Sequence, residues 1–473
     1  MGSPFETFTS ARATAAAIRS REVSPLEVLD ACLARVDAVN DRINAVIWRN
    51  DEEARVSATR ATQEVVDASD PAGLPPFHGV PIPIKDLTAV AGWPVTYGSW
   101  AAPESPSDES ELIVEAFRRA GFVLCGRTNT PEFGPITVAE NDRYGITRNP
   151  WDLDRTPGGS SGGAGAAVAG GLFPVAHGND GGGSIRIPAS CCGLVGLKVS
   201  RGRIPTLVSS WEGGSVEGVV THDVADTAAI LDVTCGPDPG QWYNAPRPDR
   251  PFLEEVGSDP GRLRIAMVDR APFGLPLDAA CVEATKATAT TLERLGHQVE
   301  VIEFTIADEF VASFLNVVNS SLADYDVDWS KTEPHIQANR TRALATDSLT
   351  YVRTVHDLQR WSRELVARWG RDFDLLLSPT MTIEPPRSGE VLAAVHEGAA
   401  SGGPALQVFQ MAVLTAGFNM TGQPAISLPT HTTSGGVPIG VQLVGGPWEE
   451  AVLIRVASQL EKAMPWSARR PPS

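Results

Sequence analysis

Three serines lie directly against glycines between residues 155 and 205: Ser160, Ser161 and Ser184. Glycine clusters of this kind let backbone approach a ligand closely and present free N–H groups. A serine set among such groups is a candidate nucleophile beside an oxyanion hole. The apolar runs 166–169, 172–173 and 194–197 argue that the stretch folds and is no flexible Gly/Ser linker. Upstream, the apolar run 80–84 ends at Lys85. A lysine at the end of a buried strand is poorly hydrated and loses its proton readily, although a lone strand-end lysine is commonly just solvated. With an ordinary pKa of ~10.4, only about one lysine in a thousand is neutral at pH 7.4, and moving that pKa near 7 takes about 4–5 kcal/mol. Burial can supply that shift.

Several hydrolase schemes compete for these residues. Gly158-Gly159-Ser160-Ser161-Gly162 satisfies G-x-S-x-G, the nucleophile elbow of α/β-hydrolases. That elbow requires an apolar strand immediately before it, and NPWDLDRTP (149–157) is no strand. None of the eight histidines is an evident triad partner; His177, nearest to the serines, reads as packed or hydrogen-bonded. S-x-x-K and G-x-x-x-x-G-K-[ST] are absent from the sequence, so neither a β-lactamase-type site nor a P-loop is supported. Without CxxC or HxxxH spacing, no metal site is expected. A serine–serine–lysine arrangement remains.

The elements that would position these groups alternate. Residues 9–20, 24–39 and 51–69 read as helices, the second opened by the capping box Ser24-Pro25-Leu26-Glu27. Strands are expected at 44–48, 80–84, 122–125, 172–176 and 193–199, with a small-residue helix at 162–170. After Pro205, helices at 223–234, 278–295, 308–326, 349–370, 407–415 and 449–463 intersperse with strands at 263–268, 298–301, 374–377, 425–428 and 439–444. Such alternation implies a parallel or mixed sheet. The segment 329–347 reads as a polar connection and 384–404 as a flexible Pro/Gly/Ala/Ser-rich loop.

A chain of 473 residues exceeds the ceiling of about 250–300 for one simple core, so it forms two or three domains or one large α/β sheet. Its formal net charge of −18 argues against nucleic acid or an anionic membrane as the main partner. No apolar run reaches membrane-spanning length and no signal peptide is evident. The six cysteines are scattered and form no disulfide framework, and cytoplasm is the expected compartment.

Taken together, the blocks resemble the amidase signature family. Gly158-Gly159-Ser160-Ser161-Gly162-Gly163, the run GNDGGGSIRIP (178–188) and the run CGLVGLK (192–198) resemble its signature core. GVPIPIKD (79–86) is similar to its lysine segment, and TNTPEFG (128–134) to its TN-PE-G segment. Asn419, Gly422-Gln423-Pro424-Ala425 and GVPIGVQ (436–442) are similar to its C-terminal blocks. The resemblance runs over roughly residues 10–465 and looks nearest to the branch of bacterial 6-aminohexanoate cyclic-dimer hydrolases, whose relatives split aryl amides, fatty amides and carbamates.

What the resemblance implies is an α/β amidase-signature fold, with a central mixed β-sheet flanked by helices on both sides. It implies one domain over 1–473: a helical layer at about 1–70, a signature core at about 75–205, and the rest of the same sheet at about 260–465. It assigns Ser184 as nucleophile, Ser160 as a bridging serine after a cis peptide bond, and Lys85 as base. The separations 184 − 160 = 24 and 160 − 85 = 75 are usual for the family. Gly181, Gly182, Gly183 and Ser184 are expected to supply the oxyanion-hole N–H groups, with Ser161 and an Asp180–Arg186 ion pair in support. The implied reaction is hydrolysis of a small amide, carbamate or ester through an acyl-enzyme. No cofactor, metal, nucleic acid or membrane is expected, and a homodimer is left open. Two other readings share the scaffold: the A subunit of a glutamyl-tRNA amidotransferase, and a non-catalytic binding protein. Gly181 departs from the family, which usually carries a side chain there, and is expected to loosen the oxyanion loop. Substrate choice is expected in 135–145, 206–220, 309–340 and 380–405, with Trp211, Phe310, Phe314 and Met381 pointing to an apolar or aromatic group.

Overall fold

The computed structural model describes residues 10–401 and 405–472. The N-terminal layer forms as its caps dictate. In helix α1 (Pro25–Ile43), Ser24 Oγ accepts the Glu27 N–H at 3.2 Å and Glu27 Oε2 accepts the Ser24 N–H at 2.8 Å. Helix α2 (Asp51–Asp67) is capped by Asn50. Both lie against a small sheet of strands β1 (Val46–Trp48), β2 (Pro81–Lys85) and β3 (Val123–Thr128), in the order β1-β3-β2. Strand β2 is buried at all five residues. The lysine that ends it is therefore delivered straight into the protein interior.

The main sheet has eight strands. In chain order these are β4 (Ala176–Asp180), β5 (Val195–Lys198), β6 (Val216–Thr221), β7 (Arg264–Val268), β8 (Gln298–Ile302), β9 (Leu375–Pro379), β10 (Ala425–Thr432) and β11 (Pro438–Val444). They run β8-β7-β9-β11-β10-β5-β6-β4 across the sheet. The β8–β7 and β7–β9 pairs are parallel and the others antiparallel, so the sheet is mixed, as expected. Residues from the glycine-rich stretch and from the C-terminal third thus share one sheet, through the β10–β5 register Ala425↔Lys198. The N-terminal lysine strand stands in the smaller sheet, not in this one.

Helix α3 (Gly162–Ala169) is buried at all its residues. A Cβ at Gly163 would lie 2.3 Å from the Asn129 amide nitrogen, so this helix packs backbone on backbone. Several elements differ from the sequence reading. The strand expected at 172–176 is displaced to β4. Helix α4 (Arg186–Cys192), which the sequence reading did not include, follows Ser184 and is closed by Gly193 at φ 72°. The polar connection at 329–347 contains helix α5 (Pro334–Leu344), and the expected loop at 384–404 carries helix α6 (Glu390–Ser401). Alanine-rich sequence beside Pro and Gly conceals α6, because neither apolar periodicity nor a cap announces it. No helix among the described residues is long and apolar enough to cross a membrane, and the six cysteines are free thiols.

Candidate active site

The end of β2, the loop before α3 and the turn after β4 converge. Lys85 Nζ lies 2.7 Å from Ser160 Oγ and 2.6 Å from Asn179 Oδ1. The Asn179 oxygen can only accept, so one N–H of the amine points there. A neutral amine then has its lone pair available for the serine. Lys85 is fully buried; burial pulls its pKa down to about 7, against the opposing pull of Glu217 and Asp180. The peptide bond between Gly159 and Ser160 is cis.

Ser161 ties the two serine loops together. Its N–H donates to the Ser184 carbonyl at 3.2 Å and its hydroxyl to the Asn179 carbonyl at 3.1 Å. Ser184 is half-buried, and its hydroxyl makes no hydrogen bond among the described residues. Behind Lys85, His177 Nδ1 accepts the Lys85 backbone N–H at 3.3 Å and Nε2 faces Glu217 Oε2 at 2.6 Å. With Nδ1 accepting, the ring proton sits on Nε2 and donates to the carboxylate. His177 is thus an anchor for the strand end, in line with a hydrogen-bonded role.

The turn bearing Ser184 is held by a buried network. Arg186 and Asp180 are both fully buried and paired at 2.8 Å and 3.0 Å. Arg186 also donates to Gln442 Oε1 at 2.7 Å, to Asn419 Oδ1 at 2.6 Å and to the Thr415 carbonyl at 3.0 Å. Asn419 Nδ2 returns to the Asp180 carbonyl at 2.7 Å. Burial pushes the Asp180 pKa up, but Arg186 and the hydrogen bonds outweigh it and hold the carboxyl well below its usual range. Asp180 accepts the N–H groups of Gly183 (2.8 Å) and Ile185 (3.1 Å). The Gly183 N–H is therefore spent on Asp180, contrary to the expectation that it faces the oxyanion. The N–H groups of Gly181, Gly182 and Ser184 have no acceptor among the described residues. Gly183 has φ +128°, and a Cβ there would meet Thr415 Oγ1 at 2.4 Å, so no other residue fits.

Trp211 packs against Gly181. A Cβ at this position would lie 2.5 Å from the Trp211 ring, so the indole occupies the space of the missing side chain. Next to it, Phe314 lies 3.5 Å from where a Gly182 Cβ would be, and the two rings meet edge to face at 6.1 Å. The other two proposed specificity residues are core. Phe310 is buried against Trp361 at 4.3 Å, and Met381 is buried beside Cys191. Gly134 closes on Ser160, and Phe133 stacks with Tyr97 at 5.7 Å.

Sequence reasoning missed Asn179 and Glu217. Asn179 lies within the run 178–188 that carries the resemblance, and that was its only signal. A second buried lysine, Lys198, also has its pKa lowered to about 7 by burial, but among the described residues its Nζ bonds only the Val199 carbonyl, at 2.8 Å.

A family model described as Amidase matches residues 27–454. The 6-aminohexanoate-cyclic-dimer hydrolase of Pseudomonas sp. (strain NK87) is 38% identical, covering 99% of this chain and 97% of that protein. The acylamidase of Rhodococcus erythropolis is 33% identical over 98% of this chain and 97% of its own length. A solved structure of 6-aminohexanoate cyclic dimer hydrolase complexed with substrate superposes with a TM-score of 0.90, at 37% identity and 99% coverage of both chains. Likeness of this extent, over fold, sequence and nearly the whole length, shows that the chain belongs to the amidase signature family.

Proposed function

We propose that this amidase cleaves a small amide through an acyl-enzyme on Ser184, with Ser160 as relay and Lys85 as base. The observation that carries the reading is the 2.7 Å approach of a fully buried Lys85 Nζ to Ser160 Oγ. With a pKa of about 7, Lys85 is neutral in a large share of molecules near neutral pH. It takes the Ser160 proton, Ser160 takes the Ser184 proton, and Ser184 Oγ attacks the carbonyl carbon. The N–H groups of Gly181, Gly182 and Ser184 stabilise the tetrahedral oxyanion. As the C–N bond breaks, the proton returns through Ser160 to the leaving nitrogen. Water then adds to the acyl-enzyme, and the acid leaves as Ser184 regains its proton.

The chain acts as one domain, because its nucleophile turn and its C-terminal strands are welded by the Arg186 network. Trp211 and Phe314, beside the glycine turn, favour an amide with an apolar acyl or amine portion, cyclic amides and aryl carbamates included. The test is hydrolysis of aliphatic, cyclic and aryl amides and aryl carbamates by the purified chain alone. Turnover of simple amides supports this reading. Turnover only with added partner subunits favours an amidotransferase subunit, and none under any condition favours a binding protein.

A further inference from the structure

Away from the serines, α5 and α6 bring three side chains together. Glu333 stands just before α5, His335 lies in its first turn and His396 is on α6. Glu333 Oε2 is 3.0 Å from His396 Nε2 and 3.5 Å from His335 Nδ1, and the three ligand atoms all lie within 4.8 Å of one another. Two ligands about 2.0–2.1 Å from a tetrahedral zinc ion sit about 3.3 Å apart, so two of the three edges already fit. The third closes by a turn of the half-buried His396 ring, whose terminal torsion is soft.

His335 supplies the second observation. Its side chain is only 5% exposed, yet neither ring nitrogen makes a hydrogen bond among the described residues. A buried imidazole without a hydrogen bond costs free energy that a folded protein rarely leaves uncompensated. Glu333 is already oriented, since Oε1 accepts the Asp142 N–H at 2.9 Å and its own N–H donates to Glu132 Oε2 at 2.7 Å. Outer bonds of this kind fix a metal-ligating carboxylate.

We propose that Glu333, His335 and His396 form a binding site for one divalent transition-metal ion of the zinc type, with water completing the coordination. Two imidazoles and a carboxylate suit such an ion and not the all-oxygen preference of calcium or magnesium. Its role is structural. Ile336, next to His335, belongs to the same apolar cluster as Phe133, Phe314 and Trp211. A cation joining α5 to α6 would hold that cluster in place.

The test uses the full chain, stripped with chelator, desalted and titrated with zinc sulfate by calorimetry. One equivalent should bind, and its thermal midpoint should rise with zinc. His335→Ala and His396→Gln should each weaken binding at least about tenfold and abolish the thermal shift. Ser184→Ala should bind zinc like the parent. Cobalt(II) should give visible ligand-field bands in the parent and not in the variants. Circular dichroism shows whether each variant folds; His396, being partly exposed, tolerates exchange even if His335 does not. Absence of stoichiometric binding to the parent, or parental binding by a folded His396→Gln, overturns the proposal.

Discussion

Two regions of this molecule bury polar side chains and treat them in opposite ways. Around Asp180, each charged group is answered: Arg186, Asn419, Gln442 and backbone N–H groups close the network. Around Glu333, His335 is buried with neither nitrogen hydrogen-bonded among the described residues. A closed polar network specifies one geometry, because any displacement leaves a buried group unpaired. An open one marks a place where a partner from outside the chain fits. The first region therefore holds the Ser184 turn in one geometry, and the second is where the proposed metal ion would bind.

The sharpest way to break this contrast is at the serines. Ser184→Ala should lower kcat/KM by on the order of 10^4-fold or more, with the fold and the zinc site retained. Lys85→Ala should cost about 10^2–10^4-fold, the usual worth of a general base. Steady-state kinetics on a good amide substrate measures both. Next in size is the network itself. Asp180→Ala strands the Arg186 charge in the interior and should destabilise the protein by about 3–5 kcal/mol in denaturant unfolding.

Gly181→Ala tests whether Trp211 truly fills the space above the oxyanion loop. Forcing a methyl against that ring should cost about 1–3 kcal/mol of stability, and Trp211→Ala should relieve it in the double variant. Smallest is His335→Phe. Without metal this removes an unpaired polar group and should change stability by less than about 1 kcal/mol, in either direction. If it instead destabilised as much as Asp180→Ala, the contrast between the regions would fail.

The legibility of the sequence follows the same divide. The glycine-rich stretch was readable because each residue type there answers a local demand. Gly183 needs φ +128°, and the helix at 162–169 needs small residues for backbone contact. Lys85 was readable because an apolar strand ends at it. Asn179 and Glu217 were not, since a side chain that steers a lysine has no fixed spacing or pattern. The departure at Gly181 was visible, but its meaning lay in Trp211, 30 residues on (211 − 181) and folded back across the loop. Glu333, His335 and His396 were hidden more thoroughly. His335 and His396 are 61 positions apart (396 − 335), on two helices whose sequences lack strong caps and periodicity, and only tertiary packing unites them.

The proposed reaction depends on Lys85 acting through Ser160 on Ser184. The most direct measurement is the pH dependence of covalent labelling by a fluorophosphonate, with the modified residue located by mass spectrometry. A base lowered to about 7 is protonated and idle below that pH and neutral above it. The labelling rate should therefore rise through about pH 7 and level off, with the label on Ser184, and Lys85→Ala should lose the rise. Labelling at Ser160, or a rate on Ser184 that keeps the same pH dependence without Lys85, would contradict it.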